Sequence, residues 1–560
     1  MDEMINSENK RPAYTRPAFV FSVVWLIVFI LYLPARNAGW VSDTCEWLQK
    51  IRTEKFLDFI NVKQSRGSLY QFTQLATYIF YRLFKENTVA WHLLFITIHA
   101  ANCTLLYIVC KKLFEQSAVK DSVMIAYGAV ILFAVCPHIS EVIVWKASYH
   151  YLQALLLMLV NLYWAQQFLN TSRIKYAVYG VILFSLSIFS HEFFYLTPFF
   201  VLSLAIYYRF VLNAEKTVSR KAILYFVIPF FLLCIVHLLL VRMASGGFSA
   251  DIGDEINQPL KGYFRKPPSY IYHILFFGRF FSPQSREVVY NFFVSKGGII
   301  VVYGLFSVFC GYILLRFKHF SFKGKAAILV LSWMLMCMAI ACPVWFGYIQ
   351  TVQFDRYAYF MLPFIYLLLL FLITSLKIRE LSITVFVVFA FINIYFTMRV
   401  NKDWKQSTQV VSHLLHSVPD AGNKTVLFLD VPANMNGVPM VGPFLHFSFR
   451  QMYNLVNTQK INNTAYDVVS YNMLAPDNGA HVMVINDSMI HVTLNQWATW
   501  WWYGMVGAFS YQNEDYKVNM IDPGHWYELT LRRPSSQYLL LYQVGDTWKA
   551  VDIALRNDQY

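Results

Sequence analysis

The chain has 560 residues, of which 57% are apolar and only 14% charged, with a formal net charge of +14. Runs such as 19–33 and 364–376 are nearly charge-free over most of a bilayer's width, which excludes an ordinary soluble fold of this length. The basic residues lie mostly in short turns between apolar runs, where they orient a membrane protein, so the positive charge is not read as a nucleic-acid surface.

The first apolar run follows Lys10, Arg11 and Arg16, and no small-residue cleavage pattern follows it, so it reads as an uncleaved first span. Hydropathy predicts eleven helices near 17–34, 89–110, 122–137, 150–169, 176–190, 192–210, 222–243, 297–316, 326–345, 357–376 and 381–398. With the N-terminus in the cytoplasm, Lys111, Lys112, Arg173, Lys175, Arg220, Lys221, Lys318 and Lys323 fall in cytoplasmic turns. The opposite short turns then carry only Lys146 and Arg356. The expected fold class is a polytopic α-helical membrane protein of about 11 transmembrane helices, N-terminus cytoplasmic and C-terminus outside. Residues 1–400 form its membrane domain, with two long outer loops at 35–88 and 244–296. Eight cysteines, none beyond Cys342, sit mainly inside apolar segments without the spacing of a disulfide framework or zinc knuckle.

From Lys402 the chain turns polar. Short apolar runs at 426–431, 481–485 and 538–544, separated by Asn, Asp, Gly and Pro, predict a small mixed α/β domain over 401–560 on the outer side, opened by a helix near 404–416. Trp497, Trp500, Trp501, Trp502 and Tyr503 form an aromatic cluster in it, read as buried or interfacial rings with sugar stacking as the alternative.

Ionisable groups at membrane depth are expensive and tend to mark functional sites. Here they gather on one side. Asp43, Glu46 and Arg66 lie in the first outer loop, His92 and His99 enter the second span from its outer end, and His138, Glu141 and His150 bracket the next outer turn. His191 and Glu192 follow at another, and Asp355, Arg356 and Tyr357 open the tenth span. Taken singly, each would serve equally well as a helix cap or snorkelling charge.

These residues carry a resemblance. Asp43, Ser65-Arg66-Gly67-Ser68-Leu69, Trp91-His92 with His99-Ala100, Cys136-Pro137-His138-Ile139-Ser140-Glu141-Val142, Ser190-His191-Glu192 and Asp355-Arg356-Tyr357-Ala358-Tyr359 together resemble the GT-C glycosyltransferases. The likeness is to the protein O-mannosyltransferase branch, including the transmembrane and tetratricopeptide-repeat mannosyltransferases, without the repeats. It covers roughly the first 400 residues. The resemblance implies a GT-C-like membrane domain that transfers one sugar, a hexose such as mannose, from a polyprenyl-phosphate donor to an acceptor hydroxyl of a protein, glycan or lipid on the outer face, with inversion. A bacterial inner membrane is the expected location.

Such a transfer needs a base for the incoming hydroxyl and a cation for the departing phosphate. Asp43 is the candidate base, with Glu46 one helical turn away. Arg356 is the candidate phosphate ligand because its planar fork stays ionised and bonds bidentately, while Lys261 and Arg265 in the second outer loop are placed to gather lipid phosphate. Arg66, His99, His138, Glu141, His191, Glu192 and Tyr357 are expected to shape the site or bind substrate. No cofactor is expected, although His138 with Glu141, and His99 and His191, are of types that hold divalent metal. The expected partners are the lipid-linked sugar, the acceptor and membrane lipids, with no nucleic acid. A transporter, or a polymerase or ligase of lipid-linked glycans, is the alternative function. A transporter would place charges nearer mid-bilayer and often relate its halves by a repeat.

Overall fold

A computed structural model describes residues 15–61, 69–246, 267–341, 354–376, 378–441, 448–494, 509–522 and 525–552, together with Pro12, Val352, Trp501 and Trp502. The chain divides into two compact units, Met1–Arg36 with Glu54–Arg399, and Asn37–Thr53 with Val400–Tyr560.

The first unit is helical. Among the described residues eight helices are long and apolar enough to cross a membrane: Pro17–Ala35, Thr88–Gln116, Lys146–Thr171, Glu192–Phe210, Lys216–Ala244, Lys296–His319, Phe322–Ala339 and Arg379–His416. A ninth span is made by Ser122–Ala134 and Pro137–Val144 if that bent pair is counted as one. Ile174–Ser187 and Leu362–Ile373 are shorter apolar helices. The two long loops are not irregular throughout. The first contains helices Asp43–Thr53 and Gln71–Phe84, and the second contains Pro267–Leu275 and Pro283–Val294, all too polar or too short to register as spans in hydropathy.

Helix breaks position the polar groups. The pair 122–134 and 137–144 is bent by 58°, because Pro137 opens a 3-10 turn, Pro137–Ile139, and cannot continue the hydrogen-bond ladder. The carbonyl freed at Val135 is satisfied from outside the helix, by the Thr397 hydroxyl at 2.7 Å. The 216–245 helix passes through a π turn at Ile223–Val227, two residues before Pro229, which lacks an amide donor. Gly128 lets helices 122–134 and 362–373 approach closely, since a Cβ there would lie 2.9 Å from a Leu370 methyl.

The second unit carries three sheets. One orders Thr547–Ala550, Tyr538–Val544, Thr425–Phe428 and Ala465–Asp467, with the last three strands parallel. The second is antiparallel, in the order His481–Asn486, Met489–Thr493, Trp526–Leu531, Tyr516–Asp522 and Ser510–Gln512. The third pairs Val438–Pro439, Val431–Met435, Val469–Met473 and Trp501–Trp502. The core forms where the apolar strand 425–428 meets helix Phe449–Val456, whose N-terminus is closed by a Ser448–Gln451 capping box. Phe428, Phe449 and Trp548 pack there with ring centroids 4.6–5.2 Å apart.

The predicted separate helix at 404–416 is instead the end of one 38-residue helix, Arg379–His416. No Gly or Pro interrupts that stretch, so the change from apolar to polar side chains alters its surroundings and not its backbone. At 1.5 Å per residue it is about 57 Å long, well beyond the hydrocarbon thickness of a bilayer.

Candidate functional site

Polar side chains of the first unit converge where the bend at 137–139, helix 267–275 and the 3-10 turn Asp355–Ala358 meet. Asp355 is fully buried at the centre. Its Oδ1 lies 3.1 Å from His138 Nδ1 and 3.1 Å from His273 Nε2, and its Oδ2 accepts a 2.6 Å hydrogen bond from Arg279. Arg279 also donates to the Val352 carbonyl at 3.1 Å, and Tyr270 donates to the Phe354 carbonyl at 3.0 Å, so the segment carrying Asp355 is tied both to helix 267–275 and to the 3-10 turn Gly278–Phe280 that follows it. Gly278 permits their close approach, because a Cβ at that position would come 3.0 Å from the His273 Cα and 3.1 Å from its Nδ1.

The next residue turns the other way. Arg356 forms an ion pair with Glu141, and its backbone N–H donates to the second Glu141 oxygen at 2.9 Å. Its guanidinium carbon lies 4.9–5.2 Å from the ring centroids of Trp145, Phe354 and Tyr357, so three aromatic faces surround the cation. Its carboxylate partner is thus Glu141, from the bent pair at 137–144.

A third group lies along helix 149–171 and the turn 192–196. Tyr70 donates to Glu192, with its hydroxyl 2.7 Å from both carboxylate oxygens. His191 stacks on His150 at 5.0 Å between centroids and meets Tyr151 at 4.7 Å, and Tyr151 in turn meets Tyr357 at 6.0 Å. An aromatic strip thus runs from Glu192 to Arg356. Glu192 keeps 31% of its side chain exposed and Arg356 16%, whereas Asp355 and His138 keep none. His99 is placed differently, buried in its helix, with Nδ1 2.9 Å from the Tyr359 hydroxyl, which also accepts from Asn102.

Asp43 and Glu46 belong to the second unit, in the first turn of helix Asp43–Thr53. Asp43 is exposed and accepts from the Ser42 hydroxyl at 3.2 Å, and Glu46 pairs with Lys50 one turn on at 2.8 Å. The same helix ends at a cleft of about 720 Å³ whose lining includes Arg52, Arg450, Lys460, Tyr466, Asp467 and Tyr511. The three cations there already donate to backbone carbonyls, Arg52 to Leu455 at 3.0 Å, Arg450 to Ile461 at 3.0 Å, and Lys460 to Asn454 and Asn457. Asp467 accepts from the Phe449 amide at 2.8 Å, and burial pushes its carboxyl up to about 7.

Arg66, Lys261, Arg265, Trp497, Trp500 and Tyr503 lie outside the described residues, as do the side chains of Trp501 and Trp502. Of the metal-type groupings considered from the sequence, His138 is brought to His273 and Asp355, while Glu141 turns to Arg356. Sequence reasoning missed His273 and Arg279. The available signal was a histidine and an arginine on either side of Gly278, in a loop whose more numerous cations drew the phosphate-binding assignment. No protein-family model matches the chain, and no curated protein matches its sequence.

Proposed function

We propose that the chain is a membrane glycosyltransferase that moves a sugar from a polyprenyl-phosphate donor to an acceptor hydroxyl on the outer face of the membrane, with inversion, through a GT-C-like membrane domain. The observation that carries this reading is the strip ending at one side in a partly exposed carboxylate, Glu192, and at the other in a caged, partly exposed guanidinium, Arg356. Transfer from a lipid phosphate needs a cation for the departing group, and aromatic faces with a carboxylate beside them suit the faces and hydroxyls of a sugar ring. Arg356 binds the departing phosphate, with Glu141 and the three rings holding the guanidinium in one plane and orientation. Tyr70 and His191 orient Glu192 toward sugar hydroxyls. Asp43 is the base that takes the acceptor proton, a role that rests on its place in the sequence motif and its exposed carboxylate.

Mutual pairing of the charges also supports the enzyme reading over the transporter. Each deep carboxylate of the group already has a fixed cationic or imidazole partner, whereas a permeation path needs groups that change partner during transport. The donor is an isoprenoid phosphate-linked hexose, the second substrate a protein or glycan hydroxyl, and the compartment the outer side of a bacterial inner membrane with the N-terminus in the cytoplasm.

The test is turnover by purified protein in lipid nanodiscs, offered labelled polyprenyl-phosphate hexoses and a panel of hydroxyl acceptors. Asp43→Asn should abolish transfer with membrane insertion unchanged, and Arg356→Lys should raise the KM for donor. Full turnover by Asp43→Asn removes that residue from the mechanism. Failure of the wild-type chain to transfer any hexose, with ion- or proton-coupled flux in its place, overturns the reading.

A further inference from the structure

We infer that His138, His273 and Asp355 form a transition-metal site, best matched to zinc, that joins three separate segments of the membrane domain. The inference does not depend on the glycosyltransferase reading, since it concerns only these side chains and their geometry.

The donor set is two imidazoles and one carboxylate, the ligand types zinc accepts. Each residue offers one ligand atom, and the three atoms lie within 4.8 Å of one another. Both imidazole nitrogens stand 3.1 Å from the same oxygen, Asp355 Oδ1. In a tetrahedral zinc centre with bonds of about 2.0 Å, neighbouring ligand atoms are about 3.3 Å apart, so two edges of the site are already near their final length. The two imidazole rings are 5.1 Å apart between centroids and tilted by 55°.

A second observation is independent of these distances. His138 is fully buried, yet among the described residues its Nε2 finds no hydrogen-bond partner and its Nδ1 makes no well-aligned hydrogen bond. Its Nδ1 is close enough to Asp355 to bond but is not aligned to donate to it. An imidazole kept only as a hydrogen-bonding partner of the carboxylate would be turned to place its N–H on line, because a buried unpaired polar atom is destabilising. A lone pair directed at an ion shared with Asp355 accounts for both the proximity and the missing alignment.

Arg279 is the obvious competitor for Asp355, but it takes only Oδ2. Oδ1, the oxygen both imidazoles approach, remains on the ligand side. Orientation of a ligating carboxylate by a hydrogen bond to its other oxygen is the usual outer-shell arrangement of metal centres. The protein supplies three ligands and leaves a fourth position for water or a substrate oxygen. The ion would hold the bend at 137–139, helix 267–275 and the turn at 355–358 together and thereby fix Arg356, the residue next to Asp355 in the chain.

The experiment uses the full chain in detergent, with any oligohistidine tag removed, stripped by chelator and titrated with Co²⁺ and then Zn²⁺. One Co²⁺ per chain should bind with the intense visible absorption of a tetrahedral centre, Zn²⁺ should displace it, and Zn²⁺ but not Mg²⁺ should raise the Tm of the stripped wild-type protein. His138→Ala and His273→Ala should each abolish the absorption, while His413→Ala, in the C-terminal unit, should leave it unchanged. Absence of stoichiometric Co²⁺ or Zn²⁺ binding by the stripped wild type overturns the proposal, even if the histidine variants fail to fold. Retention of the absorption by both histidine variants does the same.

Discussion

Arg356 and Glu141 illustrate why a buried ion pair is both strong and fragile. Glu141 accepts from the Arg356 guanidinium and from the Arg356 backbone N–H, and its side chain is only 4% exposed, so the carboxylate has almost no water to fall back on if the guanidinium is removed. Removing the guanidinium in Arg356→Met should therefore destabilise the membrane domain by about 3–5 kcal/mol, the usual penalty for leaving one partner buried alone. The double variant Glu141→Gln with Arg356→Met should recover most of that loss, because glutamine still accepts the backbone N–H without carrying charge. Thermal unfolding of both variants in one detergent checks this, and a double variant no more stable than the single one would show that the pair is not the source of the loss. Arg356→Lys tests the cage separately, since lysine keeps the charge but loses the planar face that stacks on Tyr357.

At this scale the residue types were readable in the sequence but their partners were not. Glu141, Glu192, His138 and Arg356 stood out because ionisable groups are rare at helix ends in so apolar a chain. Pairing depends on which way adjacent residues point, and Asp355 and Arg356 point to opposite partners from successive positions in a 3-10 turn. No periodicity rule resolves that.

Elements were legible in proportion to their length and apolarity. Thr88–Gln116 and Lys296–Arg316 are unmistakable as apolar runs, as is the part of Arg379–His416 up to about residue 398, whereas Asp43–Thr53 and Gln71–Phe84 mix polar and aromatic residues and read as loop. The span predicted over 122–137 runs through Pro137, where the helix bends, and the residue that makes the bend tolerable, Thr397, lies about 260 positions away in another helix. Its hydroxyl serves the Val135 carbonyl, which the bend strips of its usual donor. Thr397→Val keeps the shape and removes the donor, and it should lower stability by about 1 kcal/mol, in the range found for single hydrogen bonds between membrane helices. Thr397→Ser should restore most of the loss. A drop in Tm for Val with recovery for Ser supports the assignment; equal losses for both would assign the effect to packing of the methyl group.

For the whole molecule, the change at Lys402 from apolar to polar sequence announced a second kind of structure, and its short runs fell on strands Thr425–Phe428, His481–Asn486 and Tyr538–Val544. What the sequence did not disclose is that residues 37–53 cluster with that C-terminal material, because a contact between segments some 350 residues apart leaves no local trace. The consequence is a unit with its own titration behaviour. Asp467 is buried with only the Phe449 amide on one oxygen, and burial raises its carboxyl from 3.8 to about 7, while Asp430, also buried, is raised in the same direction. The folded unit therefore holds a proton on Asp467 between about pH 4 and 7 that the unfolded chain releases. Stability from this source is complete below pH 4 and is lost as pH rises toward 7, a change of at most about 4 kcal/mol. Unfolding of the full-length protein, followed by the tryptophan fluorescence of Trp548 in a variant lacking the other tryptophans of the C-terminal unit, should show its midpoint falling across that interval. Asp467→Asn should flatten the profile there and shift the pH 8 midpoint upward, because asparagine is neutral at every pH and its carbonyl still accepts the Phe449 amide. A variant that keeps the wild-type slope would assign the pH dependence to Asp430, whose oxygen accepts the Gln543 amide at 2.7 Å in the parallel-strand core.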